Sequence, residues 1–302
     1  MTLQSGNFGR LLEPGLRKIF FDTYKEIPEQ YKQIFNVQKS SKAIETDLRM
    51  GGFGLWEKKD SMGSVQYQDP TDSQALQYIH EEFASGFTVE RKLVDDEQYN
   101  QIQKMSKNLG RAARATIETK AAQILNDAFS VNGFDGKPLI SDSHVRLDGG
   151  SMTNLASGAL TDANLKLALI QAREQVDERG LKIQVQPKTL VVPPALEYTA
   201  KTILASTNIS AAGTGSGITN DKNLLQNSLR VVVMDYLTSD SAWFLVDPTV
   251  AELNFFWRKN LEFKQKEEFD TMQAKYRGYM RFSVGYSDYR GIVGSTGLAG
   301  GQ

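Results

Sequence analysis

The sequence predicts a mixed α+β protein, on three observations. Apolar residues recur three or four apart from Tyr99 through Ile102, Met105, Leu109, Ala113, Ile117, Ala121 and Ile124 to Ala128, forming a single stripe on one long helix. Residues 48–94 instead hold glycine-spaced, strand-like pieces, where Val65 and Tyr67 alternate with polar neighbours. Residues 252–292 carry further alternation rich in aromatics, including Phe255, Trp257, Phe263, Tyr276 and Phe282.

Residues 1–47 read as an arm. Leu16, Ile19, Phe20 and Tyr24 predict a short amphipathic helix over 14–24, and Pro28 precedes a further turn or two in 29–35. In 48–94, strands are expected at 53–56, 64–68 and 87–94, with turns at Lys58-Lys59-Asp60 and Asp69-Pro70 and a less regular stretch over 75–86. This segment lacks the apolar runs for a core of its own and reads as a long projecting β-hairpin. The long helix is expected over 95–130, with Asp95 capping its start and Asn132-Gly133 stopping it. Gly110, inside it, marks a weak spot or a point of close packing.

Residues 131–160 are loop-rich. A helix follows over 161–177, ended by Gly180, then a buried strand over 188–192 and a helix over 194–204 opened by Pro193-Pro194. Residues 206–220, made of small and polar types, read as a mobile loop. Strands are expected at 229–236 and 242–246, and the tail from Gly294 reads as small and flexible.

Composition narrows the function classes. The chain has 302 residues, 40% hydrophobic and 24% charged, which is ordinary globular usage and excludes a disordered or collagen-like protein. It has no cysteine, so disulfides, thiolate metal sites and thiol nucleophiles are excluded. A formal charge of −1 argues against a protein that lives by gripping phosphates. The start of the chain carries no targeting pattern, and no apolar run approaches the ~20 residues of a membrane span.

No catalytic constellation emerges. Gly213-Thr214-Gly215-Ser216-Gly217 lacks the Lys-Ser/Thr of a phosphate loop and follows a helix rather than a strand. His80-Glu81-Glu82 does not have metal-ligand spacing, because neighbours on a strand point to opposite faces. Ser141-Asp142-Ser143-His144 reads as a polar loop before it reads as a hydrolytic triad, and Asp95-Asp96 as helix capping before an acid–base pair. No catalytic residue, metal ligand or cofactor is therefore assigned. A hairpin without a core must pack on a partner, which favours an assembly protein over an enzyme.

Several stretches resemble a known family in wording and order. They are Phe20-Phe21-Asp22-Thr23-Tyr24 with Ile27-Pro28-Glu29-Gln30-Tyr31, and Ala84-Ser85-Gly86-Phe87-Thr88-Val89-Glu90-Arg91 running into Asp95-Asp96-Glu97-Gln98-Tyr99. Leu190-Val191-Val192-Pro193-Pro194-Ala195-Leu196-Glu197 and Gly285-Tyr286-Ser287-Asp288-Tyr289-Arg290-Gly291 follow. Together they resemble tailed-bacteriophage major capsid proteins of the Hong Kong 97-type fold, in the branch of Mu-type major head subunits, over about residues 15–292.

The resemblance implies an N-terminal arm (1–47), an extended E-loop (48–94), a P-domain with a spine helix (95–150), an A-domain (151–250), returning P-domain strands (251–292) and a flexible tail (293–302). It implies hexamers and pentamers that form an icosahedral head around double-stranded DNA without sequence-specific binding, in the virion, after assembly in the bacterial cytoplasm. Expected partners are other copies of the chain, a scaffolding protein, a portal and a decoration protein, and no membrane. With about fifteen residues before the matching region, a fused scaffold is not expected. The alternative within the same fold is an encapsulin-like nanocompartment around protein cargo. Phe53, Trp56 and Tyr67 are expected to pack on a neighbour, with Lys58 and Lys59 bonding its carboxylates. Some relatives cross-link a hairpin lysine to an asparagine, for which Asn254 or Asn260 would be the partner. Here two adjacent, solvated lysines favour non-covalent closure, because a charged ammonium is no nucleophile.

Overall fold

A computed structural model describes residues 8–50, 52–56, 58–59, 61, 64–65, 67, 72–146, 149–207, 222–268, 270–271 and 273–298. In chain order the elements are α1 (Phe8–Glu26), β1 (Asn36–Lys39), β2 (Ile44–Met50), β3 (Asp72–Ile79), β4 (Glu81–Glu90), α2 (Arg91–Asp95) and α3 (Tyr99–Asn126). Then come β5 (His144–Val145), β6 (Ser151–Met152), α4 (Asp162–Arg173), β7 (Thr189–Val192), α5 (Glu197–Ala205), β8 (Arg230–Val233) and β9 (Trp243–Val246). The chain ends through β10 (Leu253–Glu268), β11 (Gln273–Tyr286) and β12 (Ile292–Ser295).

The apolar stripe does form the long helix, α3, with 28 residues and a length of about 42 Å at ~1.5 Å per residue. Ile102, Leu109, Ile117, Ala121 and Leu125 are buried along it. Its ends differ from the expectation over 95–130. Asp95 belongs to the separate turn α2, where Arg91 pairs with it at 3.5 Å, and Glu97 takes a positive φ of 57° between the two helices. Gln98 precedes α3 without a side-chain cap. At the far end Asp127 closes the helix, and the Gly133 N–H donates to Lys137 O at 2.7 Å in the next turn.

α1 lies along α3 and buries Leu16 and Phe20. Gly110 is the point of close approach, because a Cβ there would sit 2.7 Å from the carbonyl oxygen of Phe20. The sheet β1-β10-β11-β4 packs against both helices, with Phe20 of α1 beside Phe263 of β10. Phe83, Phe87 and Val89 of β4 alternate toward the helices, with Phe83 stacked on Phe282 and Phe87 on Tyr276. The expected strand over 87–94 therefore starts earlier, at Glu81, because β11 offers this alternation a partner from Phe282 onward, and it stops at Glu90, where α2 begins. The irregular stretch expected over 75–86 is instead β3 and β4. Strands expected at 53–56 and 64–68 do not form among the described residues, and the ladder runs from Ile44↔Ile79 to Met50↔Asp72.

A second sheet, β12-β9-β7-β8, is flanked by α4 and α5. Its β7 and β9 are buried at every position, and Trp243 donates Nε1–H to Gly158 O at 3.2 Å. Thr161 caps α4, accepting from Asn164 N. The tail is not a loose end at its start. Ile292–Ser295 is a buried strand on β9, and a Cβ at Gly294 would meet the Phe244 ring at 2.8 Å. Its small residues serve close packing. Most of the stretch expected to be a mobile loop over 206–220 lies outside the described residues.

Candidate assembly surface

The loop between β2 and β3 holds all five residues singled out in the sequence. Trp56 is 94% exposed, Tyr67 93% and Phe53 57%, and Lys58 and Lys59 are exposed beside them. Leu55 and Val65 are also exposed. Large apolar side chains in water, concentrated in one loop, mark a contact surface more than scattered ones would.

The base of this loop is held to the main sheet by polar hubs. In the first, Ser287 donates to Asp47 Oδ2 at 2.5 Å, Tyr78 OH lies 2.5 Å from Ser287 Oγ, and Asn254 donates Nδ2–H to Ser287 Oγ at 3.1 Å. In the second, Ser40 donates to Glu45 Oε1 at 2.6 Å, and His80 bridges Ser40 and Ser283 at 3.0 Å on either ring nitrogen. Ser40 spends its hydrogen on Glu45, so His80 donates to it from Nε2 and accepts from Ser283 at Nδ1. Burial, with help from Arg281, holds the His80 pKa below its ordinary value, in keeping with that neutral ring. Neither hub was read from the sequence. Asn254, considered there for a cross-link, is buried and committed to the first hub.

The arm is clamped in the same manner. The backbone N–H groups of Gln30 and Tyr31 donate to the two carboxylate oxygens of Glu118 on α3, at 3.1 and 3.0 Å. Arg114, one turn earlier, gives Nη2–H to Tyr24 O at 3.2 Å and to Glu29 at 3.0 Å, and its guanidinium lies 3.8 Å over the Tyr24 ring. Both side chains are 1% exposed. Gln30 closes the clamp from outside, exchanging hydrogen bonds with Asp235. The readable signal was two charges four residues apart beside the stripe position Ile117.

His144 is more than a residue of a polar loop. It is buried, stacked on Tyr289 at 3.8 Å, with Nδ1 2.6 Å from Asp135 and Nε2 3.2 Å from Asn154 Oδ1. Asn154 donates its amide hydrogens to Leu139 O and Tyr289 O, which leaves its oxygen to accept. Both ring nitrogens therefore face acceptors, and among the described residues no hydroxyl nucleophile stands at either. Among the described residues no group of His, Asp and Glu converges as a metal site, and no helix is long and apolar enough to cross a membrane.

Known structures share this architecture. The chain is similar to the virus-like particle of Pyrococcus furiosus (10% identity, 93% of this chain and 97% of that one, TM-score 0.56). It is similar to the capsid of bacteriophage JBD30 decorated with minor capsid protein trimers (16%, 70% and 92%, TM-score 0.55) and to the capsid of a native GTA particle (14%, 91% and 92%, TM-score 0.54). These likenesses define the class of fold, the Hong Kong 97-type shell fold of tailed-phage heads. The model of the phage capsid protein family matches residues 74–295, more than half of the chain, and the chain belongs to that family. No curated protein matches it.

Proposed function

We propose that the chain is the major head subunit of a tailed phage or prophage, of the Mu-type branch, and that it closes by itself into hexamers and pentamers around double-stranded DNA. The observation that carries this reading is the E-loop, whose tip exposes Phe53, Trp56 and Tyr67 on a base fixed by polar hubs. A loop so placed gains a core only on another copy, and a head-to-tail contact of that kind closes into rings. The subunit divides into an arm (1–47), E-loop (48–94), spine-helix region (95–150), A-domain (151–250) and returning strands (251–292). Phe53, Trp56 and Tyr67 pack on the neighbour, and Lys58 and Lys59 bond to its carboxylates at modest gain.

The role is structural and without catalysis. Scaffolding, portal and decoration proteins are its partners, and the decorated JBD30 capsid supports the last of these. The subunit resides in the virion and assembles in the bacterial cytoplasm. A formal charge of −1 suits a container that holds DNA without adhering to it. The likeness to the Pyrococcus furiosus particle favours a second reading, a nanocompartment around protein cargo, which the family match to phage capsids makes the weaker of the two. The contents of native particles separate them. Nuclease-protected double-stranded DNA is expected, and particles holding protein cargo alone would overturn the phage reading.

A further inference from the structure

The arm reaches the main sheet through an elbow over residues 27–35 that crosses α3 at Arg114 and Glu118. The Glu118 carboxylate is out of water, and among the described residues no cation lies within 4 Å of it, since Arg114 is turned to Glu29 and Tyr24. Its two hydrogen bonds both come from the elbow backbone. Whether the elbow is docked therefore decides whether this carboxylate is buried or hydrated.

We propose that Glu118 is a proton-linked clamp on the N-terminal arm, so that docking of the elbow takes up a proton and the arm is held more tightly in acid than in alkali. Other groups bear on the carboxylate from every side. The two N–H donors and Arg114 favour its charged form, and Glu29 disfavours it. Tyr24 and Tyr31 from the arm side, both held above their ordinary range mainly by burial, stay neutral, as does Tyr236, which stands beside Asp235 after β8. Burial outweighs the favourable contacts and pushes Glu118 up to about 7. With the elbow lifted, water reaches α3 and the carboxyl returns to its ordinary value near ~4.3. The docked state then binds the extra proton. The proton's contribution to docking is complete below ~4.3 and is lost as pH rises through about 7, so docking is about tenfold weaker at pH 8.5 than at pH 6.

Hydrogen exchange on the full chain tests this, read by mass spectrometry on the 27–35 segment and corrected for the intrinsic pH dependence of exchange. The protection of that segment, relative to β10–β11, is expected to fall about tenfold from pH 6 to pH 8.5. Glu118→Gln, which cannot titrate, is expected to give a flat ratio. A flat ratio in the unsubstituted chain overturns the proposal, and so does the same fall in Glu118→Gln. Should that variant not fold, the unsubstituted profile decides alone, because a flat one excludes a proton-linked clamp.

Discussion

At the scale of single residues, the buried polar groups do the positioning that apolar packing leaves open. Asp135 illustrates it. Although burial opposes ionisation, the bond from His144 holds its carboxyl below the ordinary range. A carboxyl depressed in the folded state stabilises the fold above its unfolded value near ~4, and that contribution is lost as pH falls through the depressed value. Asp135→Asn leaves His144 buried without its carboxylate and is expected to destabilise the fold by about 3 kcal/mol near neutrality. Thermal unfolding across pH 2 to 7 checks it. The unsubstituted chain loses stability toward acid that the variant has already lost, so the two curves converge at low pH. Such partners were hidden in the sequence for a physical reason. His144 and Asn154, or Ser40 and His80, meet through the fold, and nothing local in the chain marks which serine faces a histidine.

At the scale of elements, periodicity gave away what lies on one helix face and missed what depends on a partner strand. The α3 stripe was legible because its residues are neighbours at i, i+3 and i+4. Ile117 is fully buried, whereas Ile124 is only partly so. Ile117→Asp is expected to cost several kcal/mol, on the order of 3–5, and to yield insoluble protein. Ile124→Asp is expected to be milder, and equal damage at the two positions would mean that the stripe is rotated from its place here. The strand pairings were less legible. Val65 and Tyr67 alternate as strand residues do, yet the ladder forms between Ile44–Met50 and Asp72–Ile79, where a partner exists. The loop tip makes its own prediction. Phe53, Trp56 and Tyr67 are exposed, so changing each to Ala should move subunit stability by no more than ~0.5 kcal/mol. Shell yield should nevertheless fall sharply. Unchanged yield, measured by sedimentation, would remove these residues from the contact.

At the scale of the whole molecule, the family was legible from the order of weak motifs, because order and spacing survive where no single motif is decisive. Phe53, Trp56 and Tyr67, proposed from the sequence as contact residues, are exposed, but the hubs that hold their loop were not legible, since they join residues as far apart as Asp47 and Ser287. The tail was misread because small residues serve both loose ends and tight packing, and only Phe244 above Gly294 distinguishes them. Closure without cross-links belongs to this scale. Lys58 and Lys59 stand in water and Asn254 is held in its hub, so particles boiled in detergent should release a single band at 33.7 kDa. A ladder of larger bands, abolished by Lys58→Ala or Lys59→Ala, would contradict that.

The central proposal, that copies of this chain tile a closed shell, meets its most direct test in electron microscopy of the purified protein under assembly conditions, with and without its scaffolding partner. Closed polyhedral particles tiled by hexamers and pentamers are the expected result. A field of dispersed, stable monomers under every condition that keeps the chain folded would contradict it.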